Sequence, residues 1–133
     1  MKRNSRLSLA LHTLGHMASE PERVRTSADI AGHAGTNPVV VRRVLGRLRE
    51  AGLLTAEKGH AGGWRLARSP QDITLADVYL ALDESLVAAA PDDEEAPNCS
   101  VEHALHRKVA TVMKDIERNL IEQLSATTIA EVR

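Results

Sequence analysis

Phenylalanine is missing from this 133-residue chain, and one tryptophan and one tyrosine are its only large aromatics. The core must therefore be built from Leu, Val, Ile and Ala, which suits packed helices better than a large β-sandwich. Cysteine is almost as scarce. The single thiol, Cys99, cannot form an intramolecular disulfide, which excludes a disulfide-stapled secreted fold. No apolar run reaches the length of a signal-peptide core or a membrane span, so a cytoplasmic protein with no membrane partner is expected. No internal repeat is present. Catalytic patterns are missing too: there is no telling nucleophile-base spacing and no evident carboxylate pair. The glycine-rich stretch "GHAGG" lacks the following Lys-Ser/Thr of a phosphate loop, and an enzyme is not expected.

Charge is plentiful but unevenly placed. The formal net charge is only -1, yet residues 1–68 hold 12 Lys/Arg against 5 Asp/Glu, while residues 69–133 hold 5 against 13. A basic first half is the electrostatic footprint of a nucleic-acid binder, which the chain average hides.

The spacing predicts a mostly α fold with a small β-wing. A first helix is expected over about Ser5 to Ala18, with Leu7, Leu11, Leu14 and Ala18 on one face. Thr26 to Asp29 fits a capping box for a short second helix that ends at Gly35. Asn37-Pro38 supplies an N-cap and a first-turn proline for a third helix. Its inward stripe is Val41, Val44, Leu45 and Leu48, and Gly52 closes it as a left-handed cap. Two helices joined by a short Gly-containing turn make a helix-turn-helix. Strands over Leu53 to Glu57 and Trp64 to Ala67 then form a hairpin wing. Thr74 to Asp77 is a second capping box, starting a helix whose Leu75, Val78, Tyr79 and Leu82 share a face.

Residues 86–98, with two prolines and four consecutive acids, read as a solvated flexible linker between a unit over 1–85 and a helical tail over 99–133. The tail is helical from Ser100 to about Gln123, with Leu105, Val109, Val112, Met113, Ile116, Leu120 and Leu124 on a broad apolar face. A helix of roughly 35 Å outruns a small domain, so the same helix of a second subunit is the economical partner. Thr128 to Glu131 is expected to cap a last turn folded back on the neighbouring chain.

"NPVVVRRVLGRLREAGLL" followed by "GHAGGWRLARSPQDITLADVYLAL" resembles the Rrf-two (IscR/NsrR-like) family of bacterial winged helix-turn-helix regulators. The carrying motifs are the third helix, the G-x-x-G-G-aromatic-x-L-A-R wing, with Trp64 where the family usually has tyrosine, and the I-[ST]-L-x-D-V helix, in that order. The resemblance implies a homodimer joined through the long C-terminal helix, reading a pseudo-palindromic operator in double-stranded DNA, with repression the expected sign. Cluster-binding members carry three cysteines before that helix. This chain has Cys99 alone, so no three-cysteine iron-sulfur cluster is expected and the chain resembles the cluster-free branch.

With the stripe of the third helix inward, Val39, Arg43, Gly46 and Glu50 point most directly out, flanked by Arg42 and Arg47. Val39 can meet a thymine methyl and Arg42 or Arg43 a guanine edge or phosphate, while Arg47 and Arg49 suit the backbone. Thr36, Asn37 and Ser27, at helix starts, can receive phosphates. In the wing, Lys58, His60 and Arg65 can reach the minor groove. Each arginine taken singly also fits an ordinary solvated helix face, and Asn37 fits a plain cap. The rival class is a protein-interaction module, which would need an apolar or mixed surface in place of this arginine-rich one. For the signal, Cys99 is a candidate redox thiol, and Cys99, His103 and His106 are spaced to share a helix face as metal ligands. A neutral remnant or a small-molecule pocket explains the same residues, and the effector stays open.

Overall fold

A computed structural model of the chain describes residues 5–58, 63–83 and 100–131. The elements follow as α1 (Ser5–Ser19), α2 (Ser27–Ala34), α3 (Pro38–Glu50), β1 (Leu54–Glu57), β2 (Gly63–Leu66), α4 (Leu75–Ala81) and α5 (Ser100–Ser125). Short 3-10 turns occupy Pro70–Asp72 and Ile129–Glu131.

The helix starts are set by side chains rather than by propensity. Thr26 accepts from the Asp29 amide at 3.1 Å while the Asp29 carboxylate faces the Thr26 amide, a complete capping box. Thr74 and Asp77 repeat it at 3.0 Å in both directions for α4. For α3, the Asn37 carbonyl accepts from the Val40 amide at 3.1 Å, and Pro38 fills the first turn. At its other end Gly52 takes φ 81°, and the Leu53 amide returns to the Leu48 carbonyl at 2.9 Å. Leu53 therefore closes the helix instead of opening the strand. β1 begins one residue after the expected Leu53 and ends at Glu57 as expected, while β2 begins and ends one residue before the expected Trp64 to Ala67, although Ala67 still donates to the Leu53 carbonyl.

The hairpin is antiparallel, pairing Leu54 with Leu66, Thr55 with Arg65, Ala56 with Trp64 and Glu57 with Gly63. A third backbone segment joins it: Arg25 and Trp64 exchange hydrogen bonds at 3.1 and 2.7 Å. The approach is so close that a Cβ on Gly63 would run into the Arg25 carbonyl, so glycine is required there. The Trp64 indole then donates to the Ser27 hydroxyl at 2.9 Å, pinning the wing to the start of α2.

One core gathers Leu14 and Met17 of α1, Ile30 of α2, the Val41, Val44, Leu45 and Leu48 stripe of α3, Leu53, Leu54, Ile73 and Val78. The buried face of α1 is broader than, and rotated from, the expected one. Leu9, Ala10, Thr13, Leu14, Met17 and Ala18 are buried, whereas Leu7 and Leu11 are only half-covered. The helix has neighbours on several sides (α2, α3, α4 and β2), so a single four-residue seam understates what must be covered.

The C-terminal turn corrects another expectation. It folds onto its own chain, not a neighbour: Leu75 donates to the Thr127 carbonyl at 2.9 Å, Ile129 donates to the Ile73 carbonyl at 2.8 Å, and Ile129 is fully buried. The expected linker, residues 86–98, lies outside the described residues.

Candidate nucleic-acid interface

The outward face of α3 has the composition that the helical spacing predicts. Val39 is 56% exposed beside the exposed Arg42, Arg43, Arg47 and Arg49. Val40 is half-buried and Val41 fully buried, so three consecutive valines take three different roles. Gly46 is half-buried rather than fully outward, but a Cβ there would meet nothing within 4 Å.

Ion pairing sets these arginines apart from most of the others, Arg6 and Arg107 being likewise without an ion pair among the described residues. Arg23 and Arg25 share Glu20 at 3.1 and 3.3 Å, Arg65 faces Glu57 at 3.7 Å, Arg68 faces Asp77 at 3.8 Å, and Arg118 faces Asp115 at 3.2 Å. Among the described residues, Arg42, Arg43, Arg47 and Arg49 have no ion pair. Four cations on one exposed helix repel one another and gain from a polyanion.

The remaining candidates divide. Asn37 spends its carbonyl on the cap, leaving its amide nitrogen as the donor, and Thr36 is half-buried in the turn, donating its amide to Ala31. Ser27 already accepts from Trp64, so its part in the wing is structural and only its hydroxyl proton remains to donate. Lys58 is exposed at the end of β1, on the wing with Arg65. His60 and Cys99 lie outside the described residues, and with Cys99 so does the expected Cys99, His103, His106 set.

Sequence reasoning missed one cluster close by. His12, His16 and His33 converge where α1 meets the end of α2, and His12 and His33 line a groove that runs past Gly35 to Thr36 and Val40. The signal was the four-residue spacing of His12 and His16.

Comparison with known proteins decides the lineage of this arrangement. The Rrf2 family model, described as an iron-dependent transcriptional regulator, matches residues 3–133. The chain belongs to the Rrf2 family. It is a DNA-binding transcriptional regulator and not an enzyme. It is 31% identical to YwnA of Bacillus subtilis (strain 168), assigned as an HTH-type transcriptional regulator, over 97% of this chain and 95% of that one. A solved structure described as a DNA-binding protein superposes with a TM-score of 0.76 at 28% identity, covering 96% of this chain and 97% of the other. The T. potens IscR structure shares the fold, with a TM-score of 0.69 at 21% identity over 99% of this chain and 85% of that one. Iron held as a three-cysteine cluster does not fit these residues, because that donor set needs three thiolates and the chain has one. No helix among the described residues is long and apolar enough to cross a membrane.

Proposed function

We propose that the chain acts as a homodimeric repressor, joined through α5, that lays two α3 helices into successive major grooves of a pseudo-palindromic operator. The observation that carries the DNA contact is the unpaired arginine face of α3 around Val39. Val39 meets a thymine methyl, and Arg42 and Arg43 reach guanine edges or phosphates from the first turns. Arg47, Thr36 and the Asn37 amide hold the backbone, with Ser27 a lesser donor, while Lys58, His60 and Arg65 contact the minor groove or its phosphates from the wing. Arg65 must share itself with Glu57, a surface pair worth at most about 1 kcal/mol, so a phosphate can compete for it.

The dimer reading rests on α5. Within its 26 residues none is buried, and Val101, Leu105, Val112 and Ile116 stay exposed along one stripe. At about 100° per residue these four fall within an arc of roughly 60°. The neighbouring arc, with Val109, Met113 and Leu120, is half-covered and lies towards α4, where the Tyr79 hydroxyl donates to Glu117 at 2.6 Å. A second α5 covers the exposed stripe most simply. Residues 1–85 then form the DNA-binding unit, 86–98 the linker and 99–133 the dimerising tail, in the cytoplasm. Repression needs only occupancy of the operator.

Selection of bound DNA from a random library at two salt concentrations tests this. A pseudo-palindromic consensus that survives the higher salt is expected; a featureless pool would favour a winged helix that binds protein partners instead.

A further inference from the structure

His12 and His16 stand one turn apart on α1, and the last turn of α2 brings His33 against both. The Nε2 atoms of His16 and His33 are 2.9 Å apart, and one ring nitrogen from each of the three residues lies within 4.8 Å of the others. At 2.9 Å the two nitrogens cannot both carry a proton, since one must accept the hydrogen bond. Neutral imidazole is the form that ligates metal.

We propose that His12, His16 and His33 form a binding site for a borderline divalent cation of the zinc class, which bridges α1 to the end of α2. The donors suit such an ion. Three nitrogens at about 2.0–2.1 Å from a tetrahedral zinc stand about 3.3 Å apart, so the 4.8 Å spread closes by modest side-chain rotation. His12 and His33 are exposed, which gives the ion an entry path and leaves water as a fourth ligand. The charged groups lining the pocket of the three histidines are Arg25 and Asp29; Glu20, 3.3 Å from Arg25, offsets that guanidinium, and Arg6 lines the adjoining groove with His12 and His33.

Position gives the site a consequence. His33 precedes Gly35, the turn residue, by two positions, and the groove beside it ends at Thr36 and Val40 of the helix-turn-helix. An ion tying α1 to α2 therefore sets the stance of α3. This regulatory half rests on the DNA-binding reading above; the metal site does not.

The test uses the full chain, stripped with EDTA and titrated with Zn(II) against a chromophoric chelator. One zinc per chain is expected, with affinity falling by more than about 10- to 100-fold in His12→Gln, His16→Gln and His33→Gln. Cys99→Ser and His103→Gln should leave it unchanged. A circular dichroism melt without metal verifies that each variant folds, and exposed His12 and His33 provide variants that spare the core. Zn(II) should then change affinity for the selected operator about fivefold or more in the wild type and not in His33→Gln. No stoichiometric zinc, or zinc lost with Cys99→Ser and kept without the three histidines, overturns the site. Zinc bound with unchanged operator affinity overturns the regulatory half. DNA bound in no metal state counts against the DNA-binding reading, and the titration still decides the site.

Discussion

Arg43 and Arg65 are the same side chain with different tasks, and their surroundings separate them. Arg65 has Glu57 across the hairpin; Arg43 projects from α3 with no ion pair among the described residues. Sequence spacing identified both as basic and surface-directed, but it could not place Glu57 beside one of them, because that contact depends on strand register. The valines were more legible: helical periodicity alone separates Val39 from Val41. Ser27 was less so, since its bond to the Trp64 indole joins residues 37 positions apart. Gly46 yields a prediction at this scale. A helical glycine with open space beside it costs the fold up to about 1 kcal/mol relative to alanine, so packing does not explain it. Gly46→Ala should raise the unfolding free energy by about 0.5–1 kcal/mol in urea titration. If the position serves close approach of DNA, Gly46→Leu should weaken operator binding while leaving the fold intact.

Among the elements, those begun by side-chain caps were the most readable. Thr26-Asp29, Asn37-Pro38 and Thr74-Asp77 announce α2, α3 and α4, because a cap is a local interaction spanning three or four residues. Elements whose limits depend on distant partners were not. The face of α1 was drawn too narrow, since α2, α3, α4 and the wing all press on it. The last turn was assigned to a neighbouring chain because nothing local reveals that Ile73 offers its carbonyl to Ile129. That contact is also energetic. Ile129 is completely buried although it lies four residues from the end of the chain, so Ile129→Ala should cost about 2–5 kcal/mol in thermal or urea unfolding. A loss under about 1 kcal/mol would mean that the C-terminal turn is a passenger.

For the whole molecule, the division of charge, +7 in residues 1–68 and -8 in 69–133, was visible in the sequence and agrees with a basic reading head and an acidic tail. The apolar face of α5 was visible as well, but its division into a half-covered arc and an exposed one required the fold. If the exposed arc holds two chains together, Val112→Glu with Ile116→Glu should turn a dimer into a monomer in sedimentation equilibrium and weaken operator binding. A dimer that survives both charges would place the interface elsewhere.

The central claim is that the arginines of α3 find their countercharge on DNA phosphate, and the salt dependence of binding tests it most directly. Operator affinity measured from low to moderate salt should fall steeply, with a slope near -0.9 per phosphate contact on a log-log plot. Arg47→Ala and Lys58→Ala should each make that slope shallower by about one while weakening specific and random DNA alike. Arg43→Ala should instead cost about 1 to 3 kcal/mol at a single operator position. A wild-type affinity indifferent to salt, or a slope unchanged by Arg47→Ala, would contradict the account.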